Sequence, residues 1–174
     1  MRNLIGIFLF AMAAALATAF GACMQKTDEQ FLRSVKQDCQ QADSSLAALT
    51  SLQAKFAGLK QLIEAAPEDV KKSAGQRIGE LQMAADEYAQ KVSVNLEPYQ
   101  QEINKGKQLA DDYASGKVTL DAAKTQYTLL TAEYQGITQM AAEFKTTFEQ
   151  FDTEFRTLAK DALSKAAPAP DKKQ

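Results

Sequence analysis

The chain has 174 residues and a formal net charge of -2, and it contains no histidine and no tryptophan. The lack of histidine excludes Ser-His-Asp and Cys-His catalysis, c-type haem attachment and most zinc sites. A net charge of -2 gives no sign of a basic surface that would bind nucleic acid. Ala, Gln, Lys, Glu and Leu are abundant, and all of them favour helices. We therefore expect an all-α protein that is not an enzyme and binds no cofactor and no nucleic acid.

Residues 1–22 have the three parts of an export signal, with Arg2 at the start, an apolar stretch after it and small residues at the end. The end of this run, "AFGAC", resembles the lipobox of bacterial lipoproteins, in which a small residue precedes a cysteine. The resemblance implies that the Cys23 thiol is diacylglycerated, that the chain is cut before Cys23 and that the new amino group is acylated. Met24 after the cysteine implies delivery to the outer membrane. The resemblance covers residues 1–23 only.

Two other ways of processing the N-terminus remain open. Ala17-Thr18-Ala19 fits an ordinary signal peptidase, which would leave Cys23 as a thiol in a soluble secreted protein. Alternatively, the 19 uncharged residues from Leu4 to Ala22 are long enough to span a bilayer uncut. All three routes place the folded part of the chain outside the cytoplasm. Residues 23–26 would form a short joint to the first helix.

The first helix is predicted over residues 27–66. Thr27 to Gln30 read as a capping box, in which a Thr cap is followed three residues later by Gln. Apolar residues then recur every seven positions, as in a helix with one buried face. These residues are Val35, Ala42, Leu49, Phe56 and Ile63, with Leu32, Cys39 and Leu46 three positions before the first three.

A second helix is predicted over residues 67–114. Pro67 suits a first helical turn, and the acidic residues after it favour the positive end of the helix dipole. Pro98 lies inside this segment, where it should kink or break the helix. The apolar phase continues across Pro98, which favours a kink. A break there would give a four-helix arrangement instead.

The third helix is predicted over residues 119–166. Gly116 fits a left-handed cap in the preceding turn, and Thr119 fits an N-cap. Apolar residues alternate at spacings of three and four, which indicates left-handed supercoiling. They are Leu120, Ala123, Tyr127, Leu130, Tyr134, Ile137, Ala141, Phe144, Phe148, Phe151, Phe155, Leu158 and Ala162.

Short connections between three long helices predict an elongated antiparallel three-helix bundle or coiled coil. At a rise of 1.5 Å per residue, each helix would be roughly 60 to 70 Å long. Residues 167–174 are small, Pro-containing and charged, and we expect them to be a disordered tail.

Three groups of residues are candidate sites. Cys39 lies in the apolar stripe of the first helix and is either a core residue or the partner of Cys23 in a disulfide. An aromatic cluster is either a core layer or the lining of an apolar ligand cavity, and it comprises Phe56, Tyr88, Phe144, Phe148, Phe151 and Phe155. Polar residues at core-type positions either fix helix register or bind a polar ligand. They are Gln53, Lys60, Asn95 and Glu102.

These features predict a non-enzymatic lipoprotein, held at the membrane by lipid on Cys23, that serves as a helical spacer, adaptor or interaction protein of the bacterial cell envelope. Its partner would be another envelope protein. The alternatives are a periplasmic module that holds a lipid or a client protein, and a soluble secreted helical protein. Homo-oligomerisation could use the apolar residues expected on the surface, which are Met83, Val94, Leu129 and Met140.

Overall fold

The structure, a computed structural model, describes residues 28–166. The predicted signal peptide, the lipidated joint and the predicted tail lie outside the described residues. Within residues 28–166 the fold is all-α, as predicted, and no strand is present. The helices are α1 (Glu29–Glu64), α2 (Glu68–Ala74), α3 (Gln76–Ala114) and α4 (Leu120–Ala166).

The prediction of three helices is wrong, because the segment expected to form one helix over residues 67–114 is divided at Gly75. Gly75 has φ 56° and ψ -134°, a backbone conformation that ends α2 and starts α3. This conformation is readily adopted only by glycine. The alternative prediction was four helices with a break at Pro98. The position of that break is also wrong, because α3 continues through Pro98.

The start of α1 is set by Asp28. One oxygen of its carboxylate accepts hydrogen bonds from the backbone N–H groups of Gln30, at 3.1 Å, and Phe31, at 3.0 Å. These bonds satisfy two of the donors that a helix start leaves without partners. The predicted cap, Thr27, lies outside the described residues, and the cap in the structure is one position later.

The turn between α3 and α4 has the caps that the sequence predicts. Gly116 has φ 73° and follows α3, and the backbone N–H of Lys117 donates to the carbonyl of Asp112 at 2.8 Å. This arrangement is a Schellman motif. The Thr119 hydroxyl accepts a hydrogen bond from the backbone N–H of Ala122 at 3.4 Å, at the start of α4.

Side-chain pairs along the bundle fix the directions of the long helices. α1 and α3 are antiparallel, α3 and α4 are antiparallel, and α1 and α4 are therefore parallel. The pairs are Lys60–Asp86 and Lys107–Asp43 between α1 and α3, Tyr99–Met140 and Arg77–Glu154 between α3 and α4, and Ser45–Thr138 and Phe56–Phe148 between α1 and α4.

We call the end of the bundle that holds Asp28 and Gly116 the proximal end, and the end that holds α2 and Ala166 the distal end. At 1.5 Å per residue, the 47 residues of α4 span about 70 Å. A single apolar core runs between the two ends, and no polar or charged residue of the described chain is buried in it. The seven-residue repeat predicted for α1 is confirmed, since each of its five residues is buried. Those residues are Val35, Ala42, Leu49, Phe56 and Ile63.

Candidate functional site

The predicted lipidation site, Cys23, lies outside the described residues, but the first described residue is tied firmly to the bundle. The backbone N–H of Asp28 donates to the Tyr113 hydroxyl at 2.7 Å, linking the start of α1 to the end of α3. Only five positions separate Cys23 from Asp28. An extended chain of that length reaches about 18 Å at most, which is the greatest distance that can separate Asp28 from Cys23.

An aromatic cluster closes the proximal end. The ring of Phe31 meets Tyr113 and Tyr127 edge to face, at centroid distances of 5.3 and 5.5 Å. The Tyr127 hydroxyl donates to the carboxylate of Asp38 on α1. Burial, together with this hydrogen bond to a negative group, raises the pKa of Tyr127 to about 12. The hydroxyl therefore stays protonated, and remains a donor, throughout the neutral range.

A second tyrosine lies deeper in the same half of the bundle. The Tyr134 hydroxyl donates to the backbone carbonyl of Glu102 at 3.3 Å and lies 3.4 Å from the Cys39 sulfur. Because its proton points to the carbonyl, the hydroxyl oxygen can accept a hydrogen bond from the Cys39 thiol. This arrangement connects all three long helices through one hydroxyl group.

Gly106 makes room for that contact. A Cβ atom placed at Gly106 would lie 2.8 Å from the Cys39 sulfur and would overlap the Tyr134 hydroxyl. The sequence reasoning missed this residue, although a signal was present. Gly106 stands three residues after Ile103 and four before Ala110, so it occupies a core position, and a glycine there indicates a close approach by a large neighbour.

Cys39 itself is a buried free thiol among the described residues, with 3% of its surface exposed. Burial is the main cause that raises its thiol pKa. A raised pKa lowers the thiolate fraction, so the thiol has little reactivity at neutral pH. Because Cys23 lies outside the described residues, the disulfide between Cys23 and Cys39 stays a prediction. Forming it would require Cys39 to leave its contact with Tyr134.

The structure brings the predicted Phe and Tyr residues together in the distal half. Ring centroids lie between 4.9 and 6.2 Å apart, and Phe56 at the centre is fully buried. Each ring in these pairs meets at least one ring from another helix, as in a packed core layer. Phe155 is half-buried at the edge of the same core. The five rings in direct contact are Phe56, Tyr88, Phe144, Phe148 and Phe151.

The four polar residues at core-type positions are half-buried at the edges of the core. Lys60 forms an ion pair with Asp86 at 2.8 Å, which links α1 to α3, and this hydrogen bond raises the pKa of Lys60. The Asn95 amide donates to the carbonyl of Lys91 within α3 at 2.7 Å. The other two half-buried polar residues are Gln53 on α1 and Glu102 on α3. Among the described residues, no hydrogen bond or ion pair joins any two of the four, whose partners are other residues, such as Lys105 for Glu102.

Two surface grooves lie between neighbouring long helices. The groove between α1 and α4 has a volume of about 420 Å³, and Asp38, Gln41, Thr138 and Gln139 form part of its polar lining. The groove between α3 and α4 has a volume of about 780 Å³ and passes the exposed Leu129.

Three of the four apolar residues expected on the surface are exposed. Met83 and Val94 are 69% exposed and Leu129 is 71% exposed. Met140 is half-buried against the core, and its sulfur accepts a hydrogen bond from the Tyr99 hydroxyl at 3.7 Å. The prediction that Met140 is exposed is therefore wrong, whereas homo-oligomerisation through the other three stays a prediction.

Within residues 28–166, no helix carries an apolar run long enough to cross a membrane. The same part of the chain holds no group of three or more Cys, Asp or Glu side chains placed to bind a metal ion. Comparisons of the chain with family models, with curated proteins and with solved structures give no match.

Proposed function

We propose that the protein is a non-enzymatic lipoprotein of the bacterial cell envelope, anchored through lipid on Cys23, whose helical domain acts as a stiff spacer or adaptor. The observation that carries the proposal is the short distance between the anchor and the fold. A lipobox-like sequence ends at Cys23, and Asp28, five positions later, is already bonded to Tyr113. Such a joint would hold the proximal end close to the membrane surface.

The arrangement of the long helices supports a spacer. The proposal treats α1, α3 and α4 as an elongated three-helix bundle, with α2 as an addition at its distal end. α1 and α4 both run from the proximal to the distal end, so the end of α4 lies about 60 to 70 Å from the anchored end, given the helical rise. An apolar core along this length favours a rigid body over a flexible linker.

We propose that the protein is not an enzyme because of the side chains that it contains and lacks. The 174 residues of the chain include no histidine, which is the most frequent general acid–base group in enzymes. The carboxylates form surface ion pairs, such as Arg77 with Glu154 and Lys107 with Asp43. These pairs fit a solvated helix surface rather than a catalytic pair of carboxylates.

The anchor can be tested by the intact mass of the protein extracted from membranes of a bacterium that expresses residues 1–174. We expect residues 23–174 with a diacylglyceryl group and an N-acyl group on Cys23. Cys23→Ala should abolish both groups and the membrane association they provide. Cys39→Ala is the matched control and should remain lipidated. Residues 20–174 without lipid would show a soluble secreted protein instead, and residues 1–174 would show an uncut anchor.

The spacer can be tested by two exposed serines at opposite ends, Ser115 and Ser164. Each would be replaced by a labelled residue in the lipidated protein on vesicles, and energy transfer to a dye in the bilayer would be measured. An upright spacer places position 115 near the bilayer and position 164 about 60 to 70 Å further away, by the helical rise. Equal transfer from both positions would mean that the rod lies flat, which would contradict the spacer.

A further inference from the structure

The groove between α3 and α4 has an apolar floor. Leu109 and Leu130 line it and are buried, and Leu129 beside them is 71% exposed. Apolar atoms provide most of the exposed surface of the groove. Leu129 is also the most exposed of the large apolar side chains in residues 28–166. Apolar surface gathered in a groove, unlike a single apolar side chain elsewhere on a protein, indicates a binding site.

The groove runs along the bundle from the proximal end. Asp112 and Val118, on either side of the turn at Gly116, line one end of it, and Gln101 lines the other. The 11 steps along α3 from Gln101 to Asp112 correspond to about 16 Å. One leaflet of the hydrocarbon core of a bilayer is about 15 Å thick, which is half of about 30 Å. The groove therefore matches the length of one acyl chain as it lies in a membrane.

The charged side chains that line the groove already have partners. Lys105 pairs with Glu102 at 2.6 Å, and Asp112 pairs with Lys117 at 3.0 Å. The remaining polar residues of the lining are uncharged. The stem of Lys105 can lie along an apolar ligand while its charged head stays in water. This chemistry suits an uncharged hydrocarbon chain better than an ionic ligand.

The proposed lipid anchor lies within reach of the groove. The Tyr113 hydroxyl holds the backbone N–H of Asp28, and Tyr113 follows Asp112 directly in the sequence. Packed helices have axes about 8–10 Å apart, so about one such spacing separates the start of α1 from the proximal end of the groove. This distance is shorter than the reach of about 18 Å between Cys23 and Asp28. An acyl chain on Cys23 can therefore enter the groove while Asp28 stays bonded to Tyr113.

We propose that the groove between α3 and α4 holds the N-acyl chain of Cys23, while the two chains of the diacylglyceryl group stay in the bilayer. This inference rests on the proposed lipid anchor. Two acyl chains are enough for stable anchoring, so the third chain can leave the bilayer without releasing the protein. The N-acyl chain would cover Leu129 and would tie Cys23 to α3 and α4 in addition to its link to α1.

Photo-crosslinking of the lipidated protein on phosphatidylcholine vesicles, at low surface density, tests the groove. A benzophenone side chain replaces Gln126 at the edge of the groove or, in the control, Gln37 on α1, and both residues are exposed. Position 126 should crosslink to the acylated Cys23 peptide at least about tenfold more than position 37, because a bound chain has a high effective concentration in the groove. Equal yields at the two positions, or a crosslink from position 126 to phosphatidylcholine alone, would overturn the proposal.

The intact mass of the same sample separates a failure of the groove from a failure of the anchor. A chain without lipid on Cys23 would remove the anchor and this inference with it. A lipidated chain that gives no crosslink from position 126 would overturn the inference and leave the anchor standing.

Leu129→Asp should lower the crosslinking yield from position 126 at least about fivefold, because an apolar chain would bury the new carboxylate without a partner. Val94→Asp is the matched control and should leave the yield unchanged, since Val94 is 69% exposed on α3 and does not line the groove. Because both side chains are exposed, we expect both variants to fold, and circular dichroism checks this. Equal yields from the two variants would contradict a chain that lies against Leu129.

Discussion

At the scale of single residues, Cys39, Gly106 and Tyr134 pack closely together in the core. Each residue comes from a different long helix, and the Tyr134 hydroxyl lies against the α carbon of Gly106. The hydroxyl is buried but has both a carbonyl acceptor and a thiol beside it. A buried hydroxyl without such partners would cost free energy, so this contact is both a packing and a hydrogen-bonding constraint.

Gly106→Ala should lower the free energy of unfolding by about 1–3 kcal/mol, because the new methyl group overfills the core. Urea unfolding followed by circular dichroism measures this change. Adding Tyr134→Phe removes the atom that the methyl group overlaps, so the double variant should recover part of the loss. Gly136→Ala, where a Cβ meets nothing within 4 Å, should instead gain about 0.5–1 kcal/mol. A neutral Gly106→Ala would contradict the tight contact.

The Tyr127 pKa of about 12 predicts a loss of stability in alkali. In the unfolded chain a tyrosine ionises near its ordinary pKa of about 10. Between pH 10 and 12 the unfolded chain has lost this proton while the folded chain keeps it, so the free energy of unfolding falls as pH rises. The stabilisation is fully present below pH 10.

Urea midpoints at several pH values check this expectation, and Tyr127→Phe should show a smaller fall between pH 10 and 12 than the native chain does. Absorbance of the tyrosinate ion gives an independent measure of the titration. Asp38→Asn removes the negative acceptor and should lower the pKa at which Tyr127 ionises. The same fall in stability with and without the Tyr127 hydroxyl would show that other groups cause it.

At the scale of helices, the sequence predicts where apolar faces lie better than it predicts where helices break. The repeat in α1 is buried as expected, and the caps at Gly116 and Thr119 are found. Gly75 was missed because the apolar spacing continues across it without a change of phase. The missing backbone donor of Pro98 is visible in the sequence, whereas a positive φ at Gly75 is not, because glycine adopts both positive and negative φ.

Pro98→Ala should raise the free energy of unfolding by about 1–3 kcal/mol. Pro98 is exposed inside a continuous helix, and alanine would restore the missing backbone donor and relieve the ring clash. Thermal or urea unfolding measures the gain. Gln100→Ala, at a neighbouring exposed position, should change stability by no more than about 0.5 kcal/mol. A loss of stability in Pro98→Ala would mean that the fold needs proline at this position.

At the scale of the whole molecule, the two halves of the bundle are stabilised differently. Tyrosines at the proximal end combine ring packing with hydrogen bonds to Asp28, Asp38 and Glu102. The rings of the distal cluster around Phe56 are held by contacts with one another. Along α4 the sequence shows that Tyr127 and Tyr134 precede the four Phe residues of the same stripe, although Phe31 at the proximal end and Tyr88 in the distal cluster do not follow this division. It does not show which polar groups the hydroxyls meet, since those partners lie on other helices.

The parallel course of α1 and α4 has a mechanical consequence. Asp28 and Ala166 lie at opposite ends of the bundle, so tension applied between them shears the helix interfaces along their full length and strains many contacts at once. Tension between Asp28 and Gly116, which both lie at the proximal end, would instead peel the helices apart one turn at a time. Single-molecule pulling should therefore give a higher unfolding force in the first geometry, and equal forces would show that the interfaces do not resist sliding as one unit.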